Sequence, residues 1–283
     1  MIIWRLNQSP CRVTTLGWGP SFITLCAWSP DGRTIASAYS SGTLDLWDTN
    51  TFQPSQLLVS QSQRSIRAIH FSPDGRWLAA ACWSYDCLWN MSSGAVHKVL
   101  HGDQYPPGSN NIAFDPTNTR FATTRDGRTV SIRDVQTREL LLVLVHSSPE
   151  AHASLSPDES FRPDVSFSPD GRLVLSASRD YSVKVWDAST GIMVLSLVGH
   201  SGSVNAACFS PCGAYIASAS DDGTVRFWRT RDGTCMTTLS DRKAQVQHVV
   251  FSPDGKTVTS GAMDGTVFIR RMADIISNKS LVE

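Results

Sequence analysis

Apolar and polar positions alternate in short runs along most of the chain. Val204-Asn205-Ala206-Ala207-Cys208-Phe209 is one run and Tyr215-Ile216-Ala217-Ser218-Ala219-Ser220 is the next. Their period of two predicts half-buried strands, and neither carries the three-to-four spacing of an amphipathic helix. A proline-glycine turn separates them, in the phrase that elsewhere reads Ser-Pro-Asp-Gly. There Pro presets φ, Asp bonds its own backbone and Gly accepts the positive φ that closes the reversal. Asp222-Gly223 then predicts a hairpin, followed by a third strand over Thr224 to Trp228 and a fourth over Cys235 to Leu239.

This four-strand pattern recurs. Its turn phrase reads AWSPDG, HFSPDG, AFDPTN, SFSPDG, CFSPCG and VFSPDG, with prolines at 30, 73, 116, 169, 211 and 253. A second phrase follows 16 or 17 residues after each proline, at Trp47, Trp89, Arg133, Trp186, Trp228 and Arg270. Four antiparallel strands every ~40–45 residues predict the blades of a β-propeller. Ile2-Ile3-Trp4 and Arg12 to Leu16 align with a third and a fourth strand, so the chain is expected to begin within a blade. The 13 residues after Arg270 suffice for one outer strand. The expected organisation is one propeller domain over 1–283. It has a partial blade at 1–17, repeats near 18–60, 61–103, 104–150, 163–199, 200–240 and 241–283, and a loop insertion at 146–162. Six blades closed by the N-terminal strand, or seven with two strands lacking, both fit; Trp4, idle in the six-bladed closure, favours the second.

The phrases resemble the WD-repeat (WD40) family over nearly all of the chain. The fifth repeat carries the fullest signature, with Gly199-His200, Ser218, Asp222 and Trp228. The resemblance implies a buried hydrogen-bond chain from Asp to His to Ser to the indole, a structural role for all four residues. The fourth repeat keeps Ser176, Asp180 and Trp186 with no histidine at the matching place; the third and sixth put Arg133 and Arg270 where Trp would stand; the first has Ser41 in the Asp slot. The fifth and sixth repeats also resemble the arrays joined to NACHT-type NTPase sensors of filamentous fungi, although no NTPase motif is present.

Charge and composition narrow the function. With 25 basic and 25 acidic side chains the net charge is zero, which argues against a nucleic-acid binder working through a general basic field. The longest apolar run, Leu140 to Val145, is six residues where a membrane span needs ~20. The first ten residues lack the features of a signal peptide, so Asn-x-Ser at Asn90 and Asn278 reads as chance. Seven cysteines without Cys-x-x-Cys spacing read as reduced core residues of an intracellular, cytoplasmic protein.

No catalytic or metal constellation emerges: there is no phosphate loop, no His-Glu-x-x-His, no nucleophile elbow, and no acid or His visibly converging from the innermost strands. Neither metal nor cofactor is expected. Third-strand mark to next proline takes 36 residues between Arg133 and Pro169 against 25 in regular repeats, which places a polar insertion near His146 to Arg162, with His146 and His152 sharing a loop with Glu150 and Asp158. The turns between second and third strands of repeats two to four present Trp83, Tyr85, Arg125, Arg128, Arg179 and Tyr181, with Tyr105 in the same sector. Trp, Tyr and Arg dominate binding hot spots. These residues are the expected contact site for a protein or peptide partner, in a multiprotein complex or a larger chain, with neither nucleic acid nor membrane. Trp83 and Tyr85 could equally fill a distorted blade end. The alternatives are a hydrolase-like enzyme on a propeller, or an array fragment of an NTPase-linked sensor.

Overall fold

The structure is a computed structural model and describes residues 2–5, 11–15, 22–59, 66–82, 85–99, 109–125, 129–146, 164–240 and 244–277. Its contacts divide the chain into two compact units, Met1–Ser109 and Asn110–Glu283. Unit 1 opens with a hairpin of β1 (Ile2–Arg5) and β2 (Cys11–Thr15). One four-stranded sheet follows from β3 (Ile23–Trp28), β4 (Thr34–Tyr39), β5 (Thr43–Asp48) and β6 (Pro54–Val59). The next contains β7 (Ile66–Phe71), β8 (Trp77–Cys82), β9 (Asp86–Asn90) and β10 (Val96–Val99).

Unit 2 continues with β11 (Ser109–Phe114), β12 (Arg120–Arg125), β13 (Thr129–Asp134) and β14 (Leu140–Val145). Its second sheet is β15 (Val165–Phe167), β16 (Leu173–Ala177), β17 (Ser182–Asp187) and β18 (Met193–Val198). Its third is β19 (Val204–Phe209), β20 (Tyr215–Ser220), β21 (Val225–Arg229) and β22 (Cys235–Leu239). The last, β23 (Val246–Phe251), β24 (Thr257–Ala262) and β25 (Val267–Arg271), has three strands among the described residues. Each sheet is an antiparallel meander in chain order, the blade of a WD40-type propeller, as the repeat predicts.

The second strands are small and apolar because each is covered on both faces. β8, WLAAAC, is buried at every position. One core joins Ala36, Leu44, Ile66, Leu78 and Trp89 between the two sheets of unit 1. In unit 2, Leu175, Val185, Leu197, Val204 and Trp228 fill the seam between the second and third sheets. The turn phrase works as its composition predicts. Ser29 Oγ donates to Asp31 Oδ1 at 2.6 Å, the Arg33 amide donates to the same oxygen, and Gly32 takes φ +70°.

Two expectations fail. After β25 the chain forms not an outer strand but a short helix, α1 (Met272–Ser277), which buries Met272 and Ile275 in the core beneath β19 to β24. Two apolar residues three apart lie on one face of a helix, whereas a strand would turn them to opposite faces. The cysteines are also not uniformly internal: Cys82 and Cys87 are buried, but Cys26, Cys212 and Cys235 are exposed. Cys26 lies on the exposed face of β3, whose burial strictly alternates, and Cys212 occupies a turn.

Candidate functional site

The polar chain of the fifth repeat is formed as the resemblance implies. Trp228 Nε1–H donates to Ser218 Oγ at 2.9 Å, Ser218 Oγ lies 2.7 Å from His200 Nε2, and His200 Nδ1 lies 2.8 Å from Asp222 Oδ2. A carboxylate only accepts, so Nδ1 carries the proton and Nε2 accepts from the serine hydroxyl. Burial lowers the His200 pKa, against the pull of Asp222, and holds the ring neutral. Burial also works to raise Asp222, but the Thr224 hydroxyl, the Ser201 amide and His200 outweigh it and bring it to about 2. The polar groups of this blade are thereby paired inside a low-dielectric seam.

The fourth repeat corrects the sequence reading. His146 Nε2 is 2.5 Å from Ser176 Oγ and its Nδ1 is 3.2 Å from Asp180 Oδ2, while Trp186 Nε1–H donates to Ser176 Oγ at 2.8 Å. His146 is buried and edges onto Trp186, so it belongs to the blade interior rather than to a loop with Glu150 and Asp158. The signature histidine was present, but the insertion follows it directly and hid it from a fixed spacing. His152 and the rest of 147–163 lie outside the described residues. The first repeat retains half the chain, with Trp47 Nε1–H donating to Ser37 Oγ at 2.8 Å.

Of the residues expected to meet a partner, Trp83, Tyr105 and Arg128 lie outside the described residues, as does the side chain of Arg125 at the end of β12. Tyr85, in unit 1, is half-buried and packs against the core, with its hydroxyl pKa raised by burial. That is the packing role weighed for it above. Arg179 and Tyr181 belong to unit 2 and sit together in the turn between β16 and β17. Arg179 is half-buried and Tyr181 is 45% exposed.

Tyr181 adopts φ +67°. Twelve residues after the turn proline, the first, fifth and sixth repeats place Gly42, Gly223 and Gly265, with φ +84°, +80° and +83°. A tyrosine thus holds a backbone conformation that its sister turns assign to glycine, at a cost of roughly 1–2 kcal/mol.

The sequence reading also missed an acid on an innermost strand position. Asp164, just before β15, accepts from Asn111 Nδ2 at 2.6 Å, from its neighbour's amide Val165 N at 2.9 Å and from Ala207 N at 3.2 Å. The sequence reading placed Asp164 inside the fourth repeat, from 163, and gave it no role. Its one available signal was spacing: Asn111 and Asp164 both stand five residues before a turn proline. Among the described residues no group of three His, Cys, Asp or Glu side chains is arranged to hold a metal. No helix among them is long and apolar enough to cross a membrane.

Five segments match the family described as "WD domain, G-beta repeat": residues 10–48, 53–90, 163–187, 191–229 and 233–270. The chain belongs to the WD-repeat family. The sheet β11–β14 falls outside these matches and is nonetheless a complete blade. Relatives include the WD repeat-containing protein 26 homolog of Arabidopsis thaliana, 25% identical over 206 residues, which are 71% of this chain and 32% of that protein. Telomerase protein component 1 of Rattus norvegicus is 27% identical over 217 residues, 71% of this chain and 8% of that protein. Small ribosomal subunit protein RACK1 of Caenorhabditis elegans is 29% identical over 129 residues, 45% and 38% of the two chains. The chain therefore spans well under half the length of each. WD-repeat proteins are typically interaction scaffolds, which supports a protein-binding role.

Proposed function

We propose that this chain is a non-catalytic recognition module that holds a protein or peptide partner through the turns between second and third strands, centred in unit 2 on Tyr181 and Arg179. The observation that carries it is the φ of +67° at an exposed tyrosine where sister turns use glycine. Strain kept at a surface aromatic is best explained by what the ring does outside the fold. The imidazoles best placed for acid–base chemistry, His146 and His200, are buried with both ring nitrogens engaged by their own blades, which favours a structural role over catalysis. A larger assembly in the cytoplasm, without nucleic acid or membrane, belongs to the same reading.

Affinity capture with crosslink mapping tests it. A benzophenone introduced at Tyr181 should yield a discrete protein adduct, and replacing Trp83, Arg128 and Arg179 together by Ala should reduce capture at least tenfold with the β circular dichroism unchanged. Equal capture by that variant overturns the proposed surface.

A further inference from the structure

Asp164 differs from every other aspartate whose titration is displaced among the described residues. The turn aspartates such as Asp31, Asp170 and Asp254, and the blade aspartates Asp115, Asp180 and Asp222, are all held below the ordinary range by donors. Asp164 is pushed up, to about 7, by burial that its two amide hydrogen bonds only partly offset. Its surroundings explain the difference. The donors that orient it come from three consecutive blades: Asn111 on β11, Val165 on β15 and Ala207 on β19. All three are neutral, and β11, β15, β19 and β23 contain no Lys or Arg. The carboxylate is held in place for its charged form, and among the described residues no cation is paired with it.

Building on the recognition role proposed above, we infer that Asp164 is a docking point for an ammonium group, the lysine side chain of a bound protein or peptide. Lone-pair counting favours that group. Among the described residues, Oδ1 accepts from Asn111 and Val165, and Oδ2 accepts from Ala207 alone. Of four lone-pair positions, one on Oδ2 stays open. One position suits a single N–H of an ammonium; it cannot receive a guanidinium bidentately or supply the several oxygens a hard cation requires. Asp164 is half-buried as a residue, so part of it meets solvent even though burial governs its carboxyl group. Two residues on, and on the same face of β15, the Ser166 hydroxyl is buried without a hydrogen-bond partner. Further along the same ends of the inner strands, Asn205 Nδ2 donates to Asp221 Oδ1 at 2.7 Å, which adds acceptor rather than cationic character. The titratable group facing Asp164 from β19 is the thiol of Cys208. Burial first, and the charge of Asp164 second, push it up to about 12, so it stays neutral.

Ammonium binding and proton loss at Asp164 are linked reciprocally: a cation that prefers the charged carboxylate lowers its titration midpoint by the same factor that deprotonation tightens binding. The test follows the Asp164 side-chain carboxyl carbon by NMR in the full chain, between pH 4 and 9, with saturating N-acetyl-lysine methylamide or its uncharged norleucine analogue. The expected result is a fall of at least one pH unit, a tenfold preference for the charged form, with the lysine probe and none with norleucine. Asp164→Asn should then lose lysine-probe binding while melting normally. An unmoved midpoint, or equal shifts with both probes, overturns the inference, and the titration on the unaltered chain needs no variant to fold. Capture and crosslinking at Tyr181 report separately, so failure of the recognition surface and failure of the ammonium site give different results.

Discussion

His146 Nε2 meets Ser176 Oγ across 30 residues of sequence, the contact that His200 makes with Ser218 across 18. Two blades thus share one polar chain although an insertion separates its parts in one of them. Removing His146 would strip Ser176 and Asp180 of a buried partner and leave a cavity beside Trp186. Lys184, 3.4 Å from Asp180, softens part of that loss. His146→Ala should cost about 2–3 kcal/mol, within the range for leaving buried polar groups unpaired. Glu139→Ala, at an exposed position seven residues earlier, should cost under about 0.5 kcal/mol, the usual size for a surface change. Urea unfolding of both variants checks the pair, and equal midpoints would return His146 to the loop.

Tyr181→Gly should raise stability while weakening recognition. Relief of the left-handed strain, roughly 1–2 kcal/mol, outweighs the extra unfolded-state entropy of glycine, roughly 0.5–1 kcal/mol. The expected gain is about 0.5–1 kcal/mol in denaturant unfolding, together with a loss of partner capture. A destabilised variant would mean that the ring packs onto its own blade.

The fold was legible because its determinants are local and repeated. Ser29, Pro30, Asp31 and Gly32 make their own turn, and a period of two suffices to identify the strands on either side. The Trp228 to Asp222 chain could be read because its members keep a fixed spacing within one repeat. His146 could not, since spatial equivalence survived an insertion that sequence distance did not. Asp164 was missed because its role is defined by Asn111 and Ala207, 53 and 43 residues away. The helix α1 was unreadable because six residues carry too little periodicity to choose between strand and helix.

Acid should loosen the fifth blade in two stages. The His200 pKa is depressed, so the unfolded chain takes up its proton first, and stability falls as pH drops below about 6.5. Asp222, held at about 2, adds stability above its unfolded value of 3.8 that is lost as pH falls toward 2. With solvent screening, that second stage is on the order of 1 kcal/mol. Asp164 works the other way: its raised pKa gives a contribution present below 3.8 and lost as pH rises through about 7. Unfolding free energy measured from pH 3 to 8 in Asp164→Asn should therefore show the uncancelled His200 slope. His200→Gln in that background should flatten it above pH 4, and a slope that persists would assign the titration elsewhere.

The cysteines should divide by environment under a thiol-alkylating reagent in the folded chain. Cys212 stands where four of the five sister turns have Asp, beside the Ser210 hydroxyl at 3.3 Å, and that bond followed by the Ala214 amide lowers its pKa. It should react several-fold faster than exposed Cys26 and Cys235. Buried Cys82 and Cys87 should wait for unfolding, as should Cys208 with its raised pKa. Peptide mass spectrometry over a time course orders the sites. Cys212→Asp should remove the fastest phase and leave the turn intact, because a carboxylate suits the same donors.

Helix α1 takes part in the last blade of unit 2 through one face. Met272 and Ile275 are buried with Val225, Phe227, Val249 and Val258, and the Thr237 hydroxyl donates to the Ile275 carbonyl at 3.3 Å. Ile276, one residue on, is 40% exposed. Ile275→Ala deletes methylenes buried among these side chains and should cost about 2–4 kcal/mol, whereas Ile276→Ala should cost well under about 1 kcal/mol. Because β24 is the sheet partner of β25 among the described residues, the loss should be felt locally before it is felt globally. Amide exchange in β24 and β25 should accelerate at least tenfold in Ile275→Ala while β16 and β17 keep their protection. Uniform acceleration across all of these strands would mean instead that unit 2 opens as one cooperative body, with α1 among its keystones.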